Sequence, residues 1–575
     1  CLDGVHDWIG WTGIYRSSWI EQVPAVHLTG IHAETRIHPA SATLRLDLML
    51  PPNTVPVEAS CRITDATGRS VFTGAHTVNS KRAGGAVDLH IPMPGAALWS
   101  PDTPALYRAA ISVRHAGHVV DTAQIRFGLR EITARGRQVL LNGTPIFLRG
   151  GCDDHVYPHT LCPPADTTFF RDRIRKAKAY GFNYTKSCVD TFTREFLEAA
   201  DELGYLVCQE MPFGLVPPHQ RNLRFNPPPS FEALCKRELA NIIRFERNHP
   251  CVVIYSMSSE LDARWLKNRR CFRLFSQDLP RMARRLHPRT LVFDCTGESG
   301  SGTINTPTPV RTRLGPRDTD LQSAAFWKTG EDYCPLAAPY LTAGCISLPF
   351  VFHEYSWITC LSDPALIRRY RGLPMKPLFI PEMISAARAN GTYRLLPRML
   401  ASSRGLKHAL RKDALEQARR DPAVAGYHHW LIQDFPFCAE GVFNDFWELP
   451  GDITAAEFRM YNADTVLLLE DNNRRSFTWG APLPIAIRIA HHGTTPLRDA
   501  TVQWTLHAGN RRIAAGSSRL PGVIDGGSVA MTSDLGIHLS PGGIPARLVL
   551  AASLTAAGAF INRNRWNLWA FPHAP

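Results

Sequence analysis

The stretch NHPCVVIYSMSSEL (248–261) decides the fold. It follows a helical segment that starts near Phe231, and its apolar centre reads as a strand buried on both faces, ending at Glu260. A second run of the same kind, LPFVFHEYSW (348–357), ends at Glu354. Buried runs that alternate with helices indicate parallel strands joined by crossovers. In a closed barrel of such units, side chains just past the strand C-termini converge on one mouth. Two carboxylates there fit the acid and the nucleophile of glycosidic cleavage.

The same alternation extends on both sides of these runs. Residues 167–180 put Phe170, Ile174, Ala177 and Tyr180 on one helical face. GFNYTKS (181–187) follows as a strand, and Asp190 is placed to cap a helix bearing Phe192, Phe196, Ala200 and Leu203, stopped by Gly204. YLVCQE (205–210) is the next strand, and RQVLLNGTPIFLRGG (137–151) is a hairpin leading in. Period-two runs such as ATLRLDLML (42–50) mark a sandwich upstream, and PLPIAIRIAHH (482–492) and ATVQWTLHAG (500–509) mark one downstream. The expected architecture is multidomain, α/β and all-β: a (β/α)8 TIM barrel over 128–463, an immunoglobulin-like β-sandwich over 25–127 and a C-terminal β-sandwich over 464–575.

Composition excludes several classes. The chain has 575 residues and a net charge of +13, from 64 basic and 51 acidic residues. RDRIRKAK (171–178) and RMARR (281–285) scatter that charge over separate helices, which reads as solvated surface rather than a nucleic-acid stripe. Attraction to acidic substrates remains open. No run of 18 apolar residues spans a membrane. None of the fourteen cysteines forms a C-x-x-C pair, so no zinc cluster is expected, and His353-Glu354 lacks the second histidine of a metalloprotease site. The first residues, CLDGVHDWIGWTG, read as the cut end of a longer protein and leave secretion undecided.

Several segments, in order, resemble glycoside hydrolase family 2, whose members include β-galactosidases, β-glucuronidases and β-mannosidases. GWTGIYRSSWIE (10–21) resembles the last strand of that family's N-terminal jelly roll, making residues 1–24 its remnant. LWSPDTPALYRAAISV (98–113) resembles the end of its immunoglobulin-like domain, and residues 127–151 its entry into the barrel. YGFNYTKSCVD, FLEAADELGYLVCQEMP, NHPCVVIYSMSSEL and VAGYHHWLIQDF follow in family order. YPHTLCPPAD (157–166), HEYSWITCLSDPALIRRYRG (353–372) and NRWNLWAFP (564–572) resemble a less characterised branch of the family.

The resemblance implies Glu260, after the fourth strand, as acid/base and Glu354, after the seventh, as nucleophile. Glu382 in PLFIPEMISA (377–386) is the rival nucleophile, because it resembles the seventh-strand pattern of family glucuronidases. Glu354 is preferred because IRRYRG (367–372) belongs after the nucleophile strand in the closer branch. Trp430 is placed to stack on a sugar face or to fill the core, and His429 and Asp434 to bind hydroxyls. Asp153, Asp154 and His155 are candidates for the same task, although a loop turn explains the aspartates as well. Glu210 is placed to orient its neighbours.

Three positions depart from the family pattern. Ser259 stands where an asparagine holds the sugar 2-hydroxyl, and Lys186 and Cys188 stand where an arginine and a histidine are usual. Lysine keeps the charge but loses the planar fork, and a thiol has neither the reach nor the donor strength of imidazole.

The resulting expectation is a retaining exo-glycosidase acting on plant or algal oligosaccharides, without metal or cofactor. It has no nucleic-acid or membrane partner, is open to homo-oligomers, and is periplasmic or secreted rather than cytoplasmic. The alternative is a degenerate carbohydrate-binding protein on the same scaffold. Trp566 and Trp569 are expected to pack in the last sandwich or against the barrel, and that sandwich to be structural.

Overall fold

Alternating burial builds the first domain. In Val57–Thr64, Val57, Ala59, Cys61 and Ile63 are buried while Glu58 and Arg62 face out. This strand pairs antiparallel with Ser70–Val78 and Tyr107–His115, and His118–Phe127 completes that sheet. His27–Ile37, Ala40–Met49 and Gly85–Pro92 form the opposite sheet, and Leu44, Leu46, Ile111 and Val113 fill the space between the two. The structure, a computed structural model, describes residues 14–52, 54, 56–78, 85–188, 190–213, 228–259, 268–297, 311–312, 315–325, 347–435, 439–471, 474–542 and 544–572.

After a hairpin of Ile132–Arg135 and Gln138–Leu141, eight parallel strands follow. They are β1 (Leu148–Asp153), β2 (Tyr184–Ser187), β3 (Leu206–Glu210), β4 (Val252–Ser256), β5 (Leu291–Phe293), β6 (Gln322–Ala325), β7 (Phe350–Tyr355) and β8 (Val424–His429). The sheet order is β5-β4-β3-β2-β1-β8-β7-β6, with both faces of most strands buried. The seam between β5 and β6 is bridged by Asp320, whose backbone N–H donates to the Val292 carbonyl at 2.9 Å. This is the barrel that the buried runs predicted.

The crossover helices are α1 (Thr167–Ala179), α2 (Arg194–Leu203), α3 (Pro229–Glu246) and α4 (Arg269–Leu286, with a π-helical turn over Leu274–Asp278). After β7 come α5 (Phe379–Ala389) and the long α6 (Leu396–Arg420). Asp166 caps α1 by accepting from the Thr168 N–H. Asp190 does not cap α2, which starts after Thr193. Its carboxylate instead takes Tyr15 Oη at 2.7 Å and Arg16 Nη2 at 3.3 Å, tying the N-terminal segment to the loop after β2. Residues 14–24 contain no strand, so the described part of the jelly-roll likeness has no regular secondary structure, and residues 1–13 lie outside the described residues.

Arg173 departs from the expectation of a solvated helix face. It is buried, with its guanidinium over the rings of Phe169, Tyr157 and Trp447 at 4.2, 4.9 and 5.0 Å.

The last domain packs a five-stranded sheet, including Thr501–Ala508, Arg511–Arg519, Ala546–Ala556 and Ala559–Phe571, against Thr465–Glu470, Ala486–His491 and Ser528–Met531. Trp566 is buried and donates to Glu416 on α6 at 3.0 Å, joining this domain to the barrel. Trp569 does not pack as expected. It lies on the outward face, 39% exposed.

Gly181 ends α1 in the left-handed region (φ +87°), and a Cβ there would sit 1.7 Å from the Asn462 carbonyl oxygen. Gly181→Ala therefore combines left-handed backbone strain of about 1–2 kcal/mol with a backbone clash. Gly372, also left-handed (φ +75°), faces open space and carries the strain alone. Thermal melting of the two alanine variants should show the larger drop at Gly181; equal drops would mean that the Asn462 contact costs nothing.

Candidate active site

Glu354 is the fifth residue of β7, buried at the C-terminal end of the barrel with a left-handed φ of +48°. A non-glycine residue in that region is strained, and such strain persists only where surrounding packing enforces it. Tyr355 Oη donates to the Ala414 carbonyl of α6 at 2.8 Å, anchoring the strand just beyond it. His353 Nε2 lies 3.2 Å from Glu354 Oε1. Burial, aided by the Lys186 cation, holds His353 well below its ordinary value, so the ring is neutral and serves as a donor rather than a countercharge. Gly297 makes room for this ring, since a Cβ there would lie 2.0 Å from it.

Glu260 lies outside the described residues. Ser259, next to it, is 3.5 Å from His353 Nε2 and accepts from Thr296 Oγ1 at 3.2 Å. The short side chain thus links the ends of β4, β5 and β7. Glu382 is exposed in the first turn of α5, off the barrel strands.

Lys186 and Glu210 hold each other. The Lys186 ammonium, fully buried, donates to Glu210, to the Ser187 carbonyl at 3.4 Å and to Cys188 Sγ at 3.8 Å. Burial opposes its charge, and the neighbouring Cys188 and Glu210 override that opposition. Asp153 accepts from the His155 N–H at 2.9 Å, so it is a turn-forming residue. His155 packs against Phe192 at a tilt of 59°, with centroids 5.1 Å apart.

Asp154 differs from its neighbour. Both of its oxygens are buried without a hydrogen-bond partner among the described residues, facing the Cys188 thiol. Burial and then the Glu354 charge push its carboxyl well above the ordinary range, which favours the protonated form. His429 Nε2 and Trp430 Nε1 are also buried without a partner among the described residues. His429 is kept neutral by burial and by Arg411, and Trp430 meets Trp357 edge-on at 5.8 Å. Asp434 accepts from the Gly441 N–H at 2.8 Å, and burial raises it to about 7.

Sequence reasoning missed Glu440, Arg411, Lys407 and the Tyr370–Asp445 pair. Glu440 is fully buried, and neither of its oxygens has a partner among the described residues. Burial pushes it up to about 9; Arg411 and Lys407 oppose this, while Glu354 and Asp434 add to it. Tyr370 Oη donates to the Asp445 carboxylate. The IRRYRG segment carried that signal, but nothing local marks Glu440 in FCAEGVF (437–443).

Glu440 makes stability depend on pH. An unfolded glutamate titrates near 4.3, so between about pH 4 and 9 the folded state holds the extra proton and stability falls as pH rises. Glu440→Gln, which cannot ionise, should flatten the decline of melting temperature between roughly pH 5 and 8. An unchanged slope would show that Glu440 is ionised in the folded protein.

A family model described as glycosyl hydrolases family 2 matches residues 26–130. A β-galactosidase of Vibrio cholerae is 25% identical over 259 residues, covering 43% of this chain and 25% of that protein. The β-D-mannosidase of Dictyoglomus thermophilum superposes with a TM-score of 0.71 over 96% of this chain and 67% of that one, at 15% identity. The chain is similar to glycoside hydrolase family 2 in sequence over residues 26–130 and in fold over the whole barrel. A β-glucuronidase of Parabacteroides merdae superposes on this chain at a TM-score of 0.53, covering 96% of it and 65% of that structure at 16% identity. The alignments span less than a third of the curated relatives' own length, 16% for a Photobacterium profundum β-galactosidase. A second model, described as a domain of unknown function, matches residues 482–572. Among the described residues, no helix is long and apolar enough to cross a membrane.

Proposed function

We propose that this chain is a retaining, exo-acting glycoside hydrolase of plant or algal oligosaccharides, with Glu354 as nucleophile and Glu260 as acid/base. One observation carries the reading. Glu354 stands at the mouth end of the seventh barrel strand, near buried Asp154 and Glu440, whose oxygens have no partner among the described residues. Buried polar groups of this kind call for a hydrogen-bonding ligand, and a sugar ring offers donors and acceptors on every side.

In this reading the Glu354 carboxylate attacks the anomeric carbon while Glu260 protonates the leaving oxygen. Water, deprotonated by Glu260, then releases the sugar from the ester. Asp154, whose burial favours the protonated form, and neutral His429 and His353 supply hydrogen bonds without adding negative charge beside the nucleophile. Trp430 and Trp357 offer ring faces for stacking.

The test is a screen of activated 2-deoxy-2-fluoro glycosides, covering hexosides, uronides and arabinosides, followed by peptide mass mapping. One of these sugars should accumulate as an ester on Glu354. An ester on another carboxylate would reassign the nucleophile, and turnover of aryl glycosides with anomeric inversion would remove the covalent step. The non-catalytic reading has one observation in its favour: the Ser259 hydroxyl, at the position where the family asparagine would hold the sugar 2-hydroxyl, is engaged by Thr296 and His353. Binding of a glycoside without turnover of any in the panel would favour it.

A further inference from the structure

The outward face of the five-stranded sheet in the last domain has a composition that packing does not require. Its four long strands, Thr501–Ala508, Arg511–Arg519, Ala546–Ala556 and Ala559–Phe571, contain six arginines and no aspartate or glutamate. Leu548, Leu550, Leu554, Trp566 and Leu568 fill the inner face, so their neighbours in sequence point outward.

Strand register sorts those neighbours into rows. Arg565 stands beside Ala551, Thr505 and Ala515. Arg563 stands beside Ser553, Gln503 and Ser517. Asn567 leads to Val549, His507 and Arg512, and Trp569 pairs with Arg547. The small side chains in the middle of the first two rows leave a trough of about 640 Å³, with Arg563 and Arg565 along one side.

The charge on this face is mostly uncompensated. Arg565 is paired with Glu457 at 3.0 Å and Arg519 with Asp499 at 2.6 Å. Arg512, Arg547 and Arg563 are exposed and have no ion pair among the described residues. The Glu457 contact shows a carboxylate already seated on the arginine row. Guanidinium is the cation best suited to carboxylates, and an exposed indole beside it suits the flat face of a pyranose.

We propose that this face is a second, non-catalytic site that binds a uronate-bearing polysaccharide, its carboxylates on Arg512, Arg547 and Arg563 and one ring on Trp569. Choosing a glycan over other polyanions rests on the glycosidase reading of the barrel; the carboxylate chemistry does not. The trough is shallow and lined by hydroxyls and amides (Thr505, Ser517, Ser553, Gln503), which suits an extended chain lying along it.

The experiment uses the full chain carrying Glu354→Gln, so that binding is read without cleavage. Calorimetry measures hexagalacturonate, with maltohexaose as the neutral probe. The expected result is binding of the uronate, not of maltohexaose, weakened at least tenfold in Arg512→Gln/Arg547→Gln/Arg563→Gln. A control triple on the first sandwich, Arg62→Gln/Arg108→Gln/Arg114→Gln, removes the same charge from another exposed surface and should bind like its parent. Equal weakening in both triples would reduce the effect to net charge and overturn the site, as would no weakening in either. Equal affinity for maltohexaose would overturn the carboxylate assignment. Aryl-glycoside turnover of the arginine triple with Glu354 intact is a separate readout. If it fails together with turnover of the parent chain, the glycosidase reading falls while the binding result stands by its own measurement.

Discussion

Glu354→Gln is expected to lower turnover by roughly 10⁴-fold or more while leaving the fold intact, the scale of loss when the nucleophile of a covalent catalyst is removed. The amide fills the same volume in a site where burial pushes both neighbouring carboxyls, Asp154 and Glu440, toward the protonated form, so the substitution leaves no unpaired charge behind. The melting temperature should therefore stay near wild type, which separates lost chemistry from lost structure. Glu382→Gln is the companion variant. Exposed on α5, it should turn over at the parent rate. The reverse pattern, an active Glu354→Gln and a dead Glu382→Gln, would falsify the assignment.

Glu260→Ala should split substrates by leaving group. A poor leaving group needs a proton in the first step, so its turnover should fall by about 10²–10⁴-fold, the usual contribution of general acid catalysis. An activated aryl glycoside leaves unaided and should still form the ester, which then accumulates because water lacks its base. Azide needs no base and should restore release as the glycosyl azide. Equal losses on both substrate types with no azide rescue would take Glu260 out of the acid/base role. Ser259 stands next to Glu260 in the chain, its hydroxyl held between Thr296 and His353.

The barrel was legible because its signal is local. Runs such as CVVIYS and FVFHEY are apolar without alternation, and only a strand covered on both faces tolerates that. The sandwiches were legible for the complementary reason, period-two burial over short runs. Local signals failed where a side chain chose a distant partner. Asp190 has the residue type and position of a helix cap, yet Tyr15 and Arg16, far away in sequence, compete for its carboxylate. Arg173 lies in a run of charged residues, yet three aromatic rings draw it inside. Trp569 lies in a tryptophan-rich closing strand, and only its position relative to Trp566 and Leu568 turns it outward.

Legible in the linear chain were the succession of sandwich, barrel and sandwich, the strand end on which Glu354 stands and the likeness to the family. These depend on covalent neighbours and on periodicities of two or 3.6 residues, which survive in a linear string. Which charges meet depends on the folded chain. It paired Lys186 with Glu210, left Asp154 and Glu440 buried beside Glu354, and set arginines from three strands on one face of a sheet. The physical reason is that protonation, partner choice and exposure depend on burial and on distances of a few ångströms between groups far apart in the chain.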